Sequence, residues 1–111
     1  MTVDEQAAGT RPGPAPGLRL VGYLDARNVG AVRQSLNELV DITSGTIVVD
    51  LSEVELIDAT GLGVLAAAHR RLERDGRQLV LRGCTGQIRR VLAMTGLLRV
   101  MHVEPAGKVA G

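Results

Sequence analysis

Residues 48–65, which read VVDLSEVELIDATGLGVL, decide the fold. The segment predicts a buried strand, a short acidic loop and a helix with Gly61 and Gly63 in its first turn. Glycine costs about 1 kcal/mol in a helix interior. In a first turn it instead leaves backbone N–H groups open to an approaching surface. The segment therefore predicts an accessible strand-to-helix turn at Asp58-Ala59-Thr60-Gly61.

Outside this stretch, alternating and helical apolar spacings continue the same order. A strand, a helix and then a second strand repeat along the chain, which predicts a parallel sheet with right-handed crossovers. We expect a single α/β domain with a mostly parallel four-stranded sheet and packed crossover helices. The predicted strands are 18–25, 46–51, 78–82 and 100–103, and the predicted helices are 28–41, 61–75 and 85–95.

Composition narrows the class of protein. The chain has 111 residues, enough for one domain, and 45% of them are hydrophobic. Tyr23 is the only aromatic residue, so no aromatic cluster can stack on bases, and nucleic acid is not an expected partner. Cys84 stands alone, which excludes an intrachain disulfide and favours a reducing compartment. Since no apolar run approaches the ~20 residues of a membrane span, we expect a cytoplasmic protein with no membrane partner.

The two ends differ from the middle. Residues 1–17 are rich in Pro and Gly and predict a disordered tail. The folded domain is expected over residues 18–104, and residues 105–111 are expected to be a flexible tail.

Charge is unevenly distributed. Acids outnumber arginines from Leu18 to Asp58, and arginines outnumber acids from Ala59 to Glu104. We expect the acids beside the turn to face a basic patch on a partner, in an association that weakens with salt.

Four motifs in order resemble the STAS domain, the fold of bacterial anti-sigma factor antagonists. They are Gly22-Tyr23-Leu24-Asp25, Val49-Asp50-Leu51-Ser52, residues 57–65 and Met94-Thr95-Gly96-Leu97. The resemblance implies a module that binds an anti-sigma factor, often a kinase-fold protein, so that a sigma factor is released. It also implies a switch, in which phosphorylation of the hydroxyl residue directly after the motif aspartate ends the association.

The chain departs from the family pattern at the switch itself. Ala59 follows the motif aspartate and has no hydroxyl. Thr60 comes one residue later and is either a cap or turn residue, the preferred interpretation, or a displaced phosphorylation site. The module is therefore expected to bind without the usual switch. The predicted partner-binding residues are Asp25, Glu53, Glu55, Asp58, Ala59, Thr60, Gly61, Leu62 and Gly63.

Other functions remain as alternatives. Residues 61–66 match a G-x-G-x-x-A dinucleotide fingerprint, although Asp58 would place a negative charge beside the pyrophosphate. Asp50, Glu53, Glu55 and Asp58 are interpreted as a solvated cluster, with no catalytic residue, metal or cofactor predicted. The alternatives to sigma regulation are a STAS scaffold or transporter-associated subunit and a weak nucleotide binder. The expected oligomeric state is a monomer or weak dimer.

Overall fold

The computed structural model describes residues 2–5 and 16–104. Strands and helices alternate through most of this part of the chain, as the apolar spacing predicts. The elements are β1 (Thr2–Glu5), β2 (Gly17–Leu24), α1 (Val29–Ile42), β3 (Ile47–Ile57), α2 (Ala59–Arg74), β4 (Leu79–Arg82), α3 (Gly86–Met94), α4 (Leu97–Val100) and β5 (His102–Val103).

The strands form one five-stranded sheet in the order β1-β2-β3-β4-β5. Strands β2 to β5 run parallel to one another, which confirms the predicted mostly parallel four-stranded sheet. Because each crossover joins adjacent parallel strands, the carboxyl ends of β2 and β3 lie together at one edge of the sheet. That edge carries the turn predicted as the site.

Strand β1 corrects the predicted disordered tail over residues 1–17. Thr2 pairs with Val21 and Glu5 with Leu18, in the antiparallel direction. The composition of the whole tail, dominated by Pro and Gly after Ala8, concealed a short edge strand that is held by backbone pairing. Gly17 likewise belongs to β2. Residues 1 and 6–15 of this tail and the predicted flexible tail 105–111 lie outside the described residues.

The core is aliphatic and lies between the helices and the sheet. It includes Leu20, Leu36, Leu65 and Leu81, each at most 1% exposed. Burying an aliphatic side chain of this size stabilises a fold by about 1.5–3 kcal/mol. Cys84 is also buried, and burial raises the pKa of its thiol.

Strand β3 is longer than its sequence pattern indicates. The predicted strand ends at Leu51 and an acidic loop follows, but the strand runs on to Ile57. Val54 and Ile57 are buried, whereas Glu53 and Glu55 are exposed. Register shifts against β2 accompany this pattern. Because such irregularities break the two-residue alternation, the segment does not show the period of an ordinary strand.

The last predicted strand is shorter than expected, since Val100 ends α4 and β5 contains two residues. No helix in residues 2–5 or 16–104 combines the length and the apolar character that crossing a membrane requires.

Candidate functional site

The turn between β3 and α2 is fixed by Asp58. This residue is the N-cap of α2, and its Oδ1 accepts a hydrogen bond from the Gly61 N–H at 2.9 Å. A helix leaves its first N–H groups without intrahelical partners, so a carboxylate here stabilises the helix by about 1 kcal/mol. The helix start therefore has a defined position at the edge of the sheet.

The same carboxylate also holds the loop that follows β2. Its Oδ2 accepts from the Ala26 N–H at 3.3 Å, and the Asp58 N–H donates to the Leu24 carbonyl oxygen at 3.1 Å. One side chain thus joins the β2–α1 loop to the start of α2. The two segments form one surface.

Asn28 folds the β2–α1 loop back on itself. Its Oδ1 accepts from the Asp25 N–H at 3.0 Å, and its Nδ2 donates to the Tyr23 carbonyl oxygen at 2.8 Å. Asn28 is the N-cap of α1 by position, but its side chain makes no cap hydrogen bond. Its place before an apolar helical pattern indicates only a cap, so its role in shaping this loop was missed.

Asp25 forms an ion pair with Arg27 on this loop. Arg27 Nη2 lies 3.0 Å from Asp25 Oδ2, and the Arg27 N–H donates to Asp25 Oδ1 at 3.0 Å. The hydrogen bond from the guanidinium lowers the pKa of Asp25 and raises that of Arg27. The Arg27 side chain is 84% exposed, so its cation remains available at the surface.

Replacing Arg27 with glutamine is expected to raise the pKa of Asp25 towards its ordinary value, because the largest cause of its depression is removed. Folding lowers this pKa, so the pair stabilises the fold above the unfolded-state pKa and loses that effect as pH falls through the folded one. Carboxyl-carbon NMR titration of both proteins measures the change. An unchanged Asp25 midpoint in Arg27→Gln would contradict the assignment.

The two glycines of the first turn have different surroundings. A Cβ on Gly61 would lie 2.7 Å from Leu24 Cγ and 2.9 Å from the Leu24 carbonyl oxygen. A Cβ on Gly63 would meet no atom within 4 Å apart from its chain neighbours and the backbone of its own helix. Gly61 therefore lets the helix pack closely against β2, whereas Gly63 leaves the outside of the helix bare.

The predicted partner-binding residues divide accordingly. Ala59, Thr60 and Gly63 are exposed on α2. The cap or turn role preferred for Thr60 is wrong, because Asp58 is the N-cap and Thr60 is the second residue of the helix. Gly61 and Leu62 are buried, and Leu62 belongs to the core with 6% of its surface exposed. Asp25 and Asp58 are half-buried, and their carboxylates bond to other residues of the site. Arg27 is a surface residue that the sequence reasoning missed, since only its place after the Gly-x-Leu-Asp motif could have indicated it.

Glu53 and Glu55 lie farther back along β3. Glu53 Oε2 is 3.0 Å from Arg19 Nη1. Both acids line an open depression of about 570 Å³ with Thr85 and Gln87 from the start of α3. The structure groups them with α3 in that depression.

The acidic residues of β3 and the turn do not act as a unit. Asp50 Oδ1 accepts from the Ser52 N–H at 2.8 Å, while Asp58 is engaged by the Gly61 and Ala26 amides. Across residues 16–104, no three histidine, cysteine or acidic side chains form a group suited to a metal ion.

Fold and site together define a class of protein: a small α/β domain in which an aspartate caps an exposed, glycine-containing helix start at the carboxyl edge of parallel strands. The STAS domain family model matches residues 10–110, and the chain belongs to this family. The resemblance stated from the four motifs is confirmed.

The relatives carry regulatory names. The anti-sigma-B factor antagonist of Listeria monocytogenes is 31% identical over 86 residues, covering 77% of this chain and 75% of the relative. An anti-sigma factor antagonist from Mycobacterium paratuberculosis has a similar crystal structure, with a TM-score of 0.75 and 24% identity, covering 96% of this chain and 89% of that one. The first likeness supports a general role in sigma regulation, and the second shows the fold.

The fold also occurs in a different setting. A sulfate transporter family protein from Wolinella succinogenes has a TM-score of 0.69 at 20% identity, covering 87% of this chain and 83% of that one. Because this likeness extends to the fold alone, the choice between roles rests on the sequence relatives and on the site.

Proposed function

We propose that this protein is an anti-sigma factor antagonist that acts in the cytoplasm by binding an anti-sigma factor, not by catalysis. The docking surface consists of the exposed outer side of the α2 start, at Ala59, Thr60 and Gly63, together with the β2–α1 loop, residues 25–28. The observation that carries the proposal is the Asp58 carboxylate, which accepts from both Gly61 and Ala26. It fixes the two segments as one preformed surface.

A preformed surface of small residues suits close docking. The loop and the helix start are ordered before a partner arrives, so binding has less conformational entropy to lose. Gly63 presents bare helix backbone, since no atom lies within 4 Å of the position that a Cβ would take there. A partner's side chains can therefore approach the helix closely.

Charge has a smaller part in the proposed interface than the sequence indicates. Asp58 is already bonded to two amides and Asp25 to Arg27, so neither offers a free carboxylate. A basic patch on the partner would meet the exposed Glu55. We propose that salt weakens the association modestly, as for an exposed pair in high dielectric.

The phosphate switch is absent from the proposed mechanism. Ala59 provides no hydroxyl, and Thr60 is exposed one position farther along α2. Successive residues of a helix are rotated by roughly 100°, so the Thr60 hydroxyl points in a different direction from one at position 59. Without a phosphate at position 59, no new charge of about −1.5 to −2 enters the interface. The protein then stays competent to bind even when its partner is a serine kinase.

Gly63→Arg is expected to weaken binding at least about tenfold, since it places a long side chain at the centre of a closely packed interface. The fold should persist, because no atom lies within 4 Å of the added Cβ. Arginine also has a higher helix propensity than glycine. Titration calorimetry against each purified anti-sigma factor encoded by the source genome measures the affinity.

Ala93→Arg is the matched control, since Ala93 is exposed on α3, away from the α2 start in sequence and element. Its affinity should equal that of the wild type. Equal affinities for wild type and Gly63→Arg would remove the α2 start from the interface. Failure of the wild type to bind any member of the panel would refute the proposed function.

A further inference from the structure

Two large apolar side chains lie exposed next to each other where β2 and β3 end. Tyr23 is 49% exposed and Leu56 is 44% exposed. The two residues are paired in the register of the parallel strands, so their side chains project from the same face of the sheet. The other large exposed hydrophobics of residues 16–104 are on helices: Ile42 on α1, Met94 on α3 and Val100 on α4.

This pair directly precedes both segments of the proposed docking surface. Leu24 and Ile57 follow it, are buried and are also paired in register, and Asp25 and Asp58 come next. Because side chains alternate along a strand, the pair projects from the face opposite to Leu24, which packs under Gly61 of α2. The carboxyl edge of the sheet therefore has the helix start on one side and an apolar pair on the other.

A cation lies beside the apolar pair. Arg27 lines a shallow depression of about 500 Å³ with Gly22, Tyr23 and Asn28. Its guanidinium is held 3.0 Å from Asp25 Oδ2 but remains 84% exposed. The depression thus combines an aromatic wall with a positioned positive charge, and tyrosine and arginine are both enriched at binding hot spots.

We propose that Tyr23 and Leu56 form an apolar anchor that receives an aliphatic or aromatic side chain of the anti-sigma factor, with a carboxylate of that partner beside Arg27. The inference rests on the proposed function and extends it. The partner would contact the α2 start on one face of the sheet and the Tyr23–Leu56 pair on the other face. When a partner covers two exposed apolar side chains, apolar surface is removed from water, and this makes binding more favourable. The cation then selects a partner that carries an acid next to its apolar residue.

Affinity measurements on single variants test the anchor. Tyr23→Ala and Leu56→Ala should each bind the anti-sigma factor about tenfold more weakly or worse, as truncated hot spots do. Tyr23→Phe should retain the affinity, because the ring supplies the contact. Ile42→Ala and Met94→Ala are controls, since they truncate large apolar side chains on α1 and α3 that are even more exposed, at 76% and 78%, and should stay within about twofold of wild type.

All these side chains are exposed, so thermal unfolding should be nearly unchanged. If Tyr23→Ala and Leu56→Ala bind as wild type does while Gly63→Arg does not bind, the anchor is refuted and the proposed function stands. If wild type binds no anti-sigma factor, both fall.

A direct readout follows from the single tyrosine of the chain. A protein labelled with carbon-13 in its tyrosine ring gives one set of ring signals, all from Tyr23. Addition of the anti-sigma factor should shift these signals, and removal of residues 105–111 from the free protein should leave them in place. A shift caused by that removal would identify the chain's own tail as the occupant and overturn the proposal.

Discussion

Gly61→Val is expected to destabilise the protein by about 2–3 kcal/mol, the upper part of the range for overpacking a core. The Cβ alone would lie 2.7 Å from Leu24 Cγ and 2.9 Å from the Leu24 carbonyl oxygen, which belongs to strand backbone. That oxygen accepts from the Asp58 N–H, so it cannot move without disturbing the turn. A loss of this size lowers the melting temperature by roughly 10–20 °C in a domain of about 100 residues.

Gly63→Val makes the same chemical change two residues later, where no atom lies within 4 Å of the added Cβ. Its melting temperature should remain close to that of wild type. Circular dichroism followed during heating measures both variants. Equal melting temperatures for Gly61→Val and Gly63→Val would contradict the close packing of the helix start against β2.

Asp58→Ala is expected to reduce stability by about 1–2 kcal/mol, the upper part of the range for loss of an N-cap. The substitution removes the carboxylate that bonds to both the Ala26 and the Gly61 amides, so the β2–α1 loop and the α2 start must be ordered on binding. Affinity for the anti-sigma factor should therefore fall at least about tenfold. Chemical denaturation gives the free energy of unfolding, and calorimetry gives the affinity.

Thr85→Ala is the matched control for a lost cap, since Thr85 caps α3 through a hydrogen bond from the Ile88 N–H. It should lose stability without a loss of affinity. Asp58→Asn keeps an acceptor for the Gly61 N–H and should lie between wild type and Asp58→Ala in both measurements. Full affinity in Asp58→Ala would show that the bonds from the Asp58 carboxylate to Ala26 and Gly61 are unimportant for binding.

The alternation of apolar segments was sufficient to predict the parallel sheet and its helices. Val29, Val32, Leu36 and Leu39 recur at helical spacing and are all buried on α1. Ile47, Val49 and Leu51 face the core from β3, as a continuous apolar run predicts. These patterns are local, so the sequence contains them fully.

The missed strands depend on pairing between distant segments. Strand β1 is held by its register with residues 18–21. The end of β3 stays paired with β2 past two register irregularities. A pattern of one segment cannot show either arrangement, since the stabilising partner is elsewhere in the chain.

The candidate site also combines a local sequence pattern with contacts between distant segments. The motif placed the turn at Asp58, but the bond from Asp58 to Ala26 joins residues 32 positions apart. The exposed Tyr23–Leu56 pair likewise emerges only from the register of two strands. The sequence motif indicated the turn that we propose as the binding site, and tertiary contacts define the surface around that turn.

The most direct test of the central claim, an antagonist surface without its phosphate switch, compares wild type with Ala59→Ser. Both are incubated with ATP and an anti-sigma factor that binds the chain and has kinase activity, and intact mass and complex formation are then measured. Wild type should gain no phosphate and remain bound, whereas Ala59→Ser should gain one phosphate and dissociate. One phosphate on wild type that disappears in Thr60→Ala would contradict the account and make Thr60 the switch.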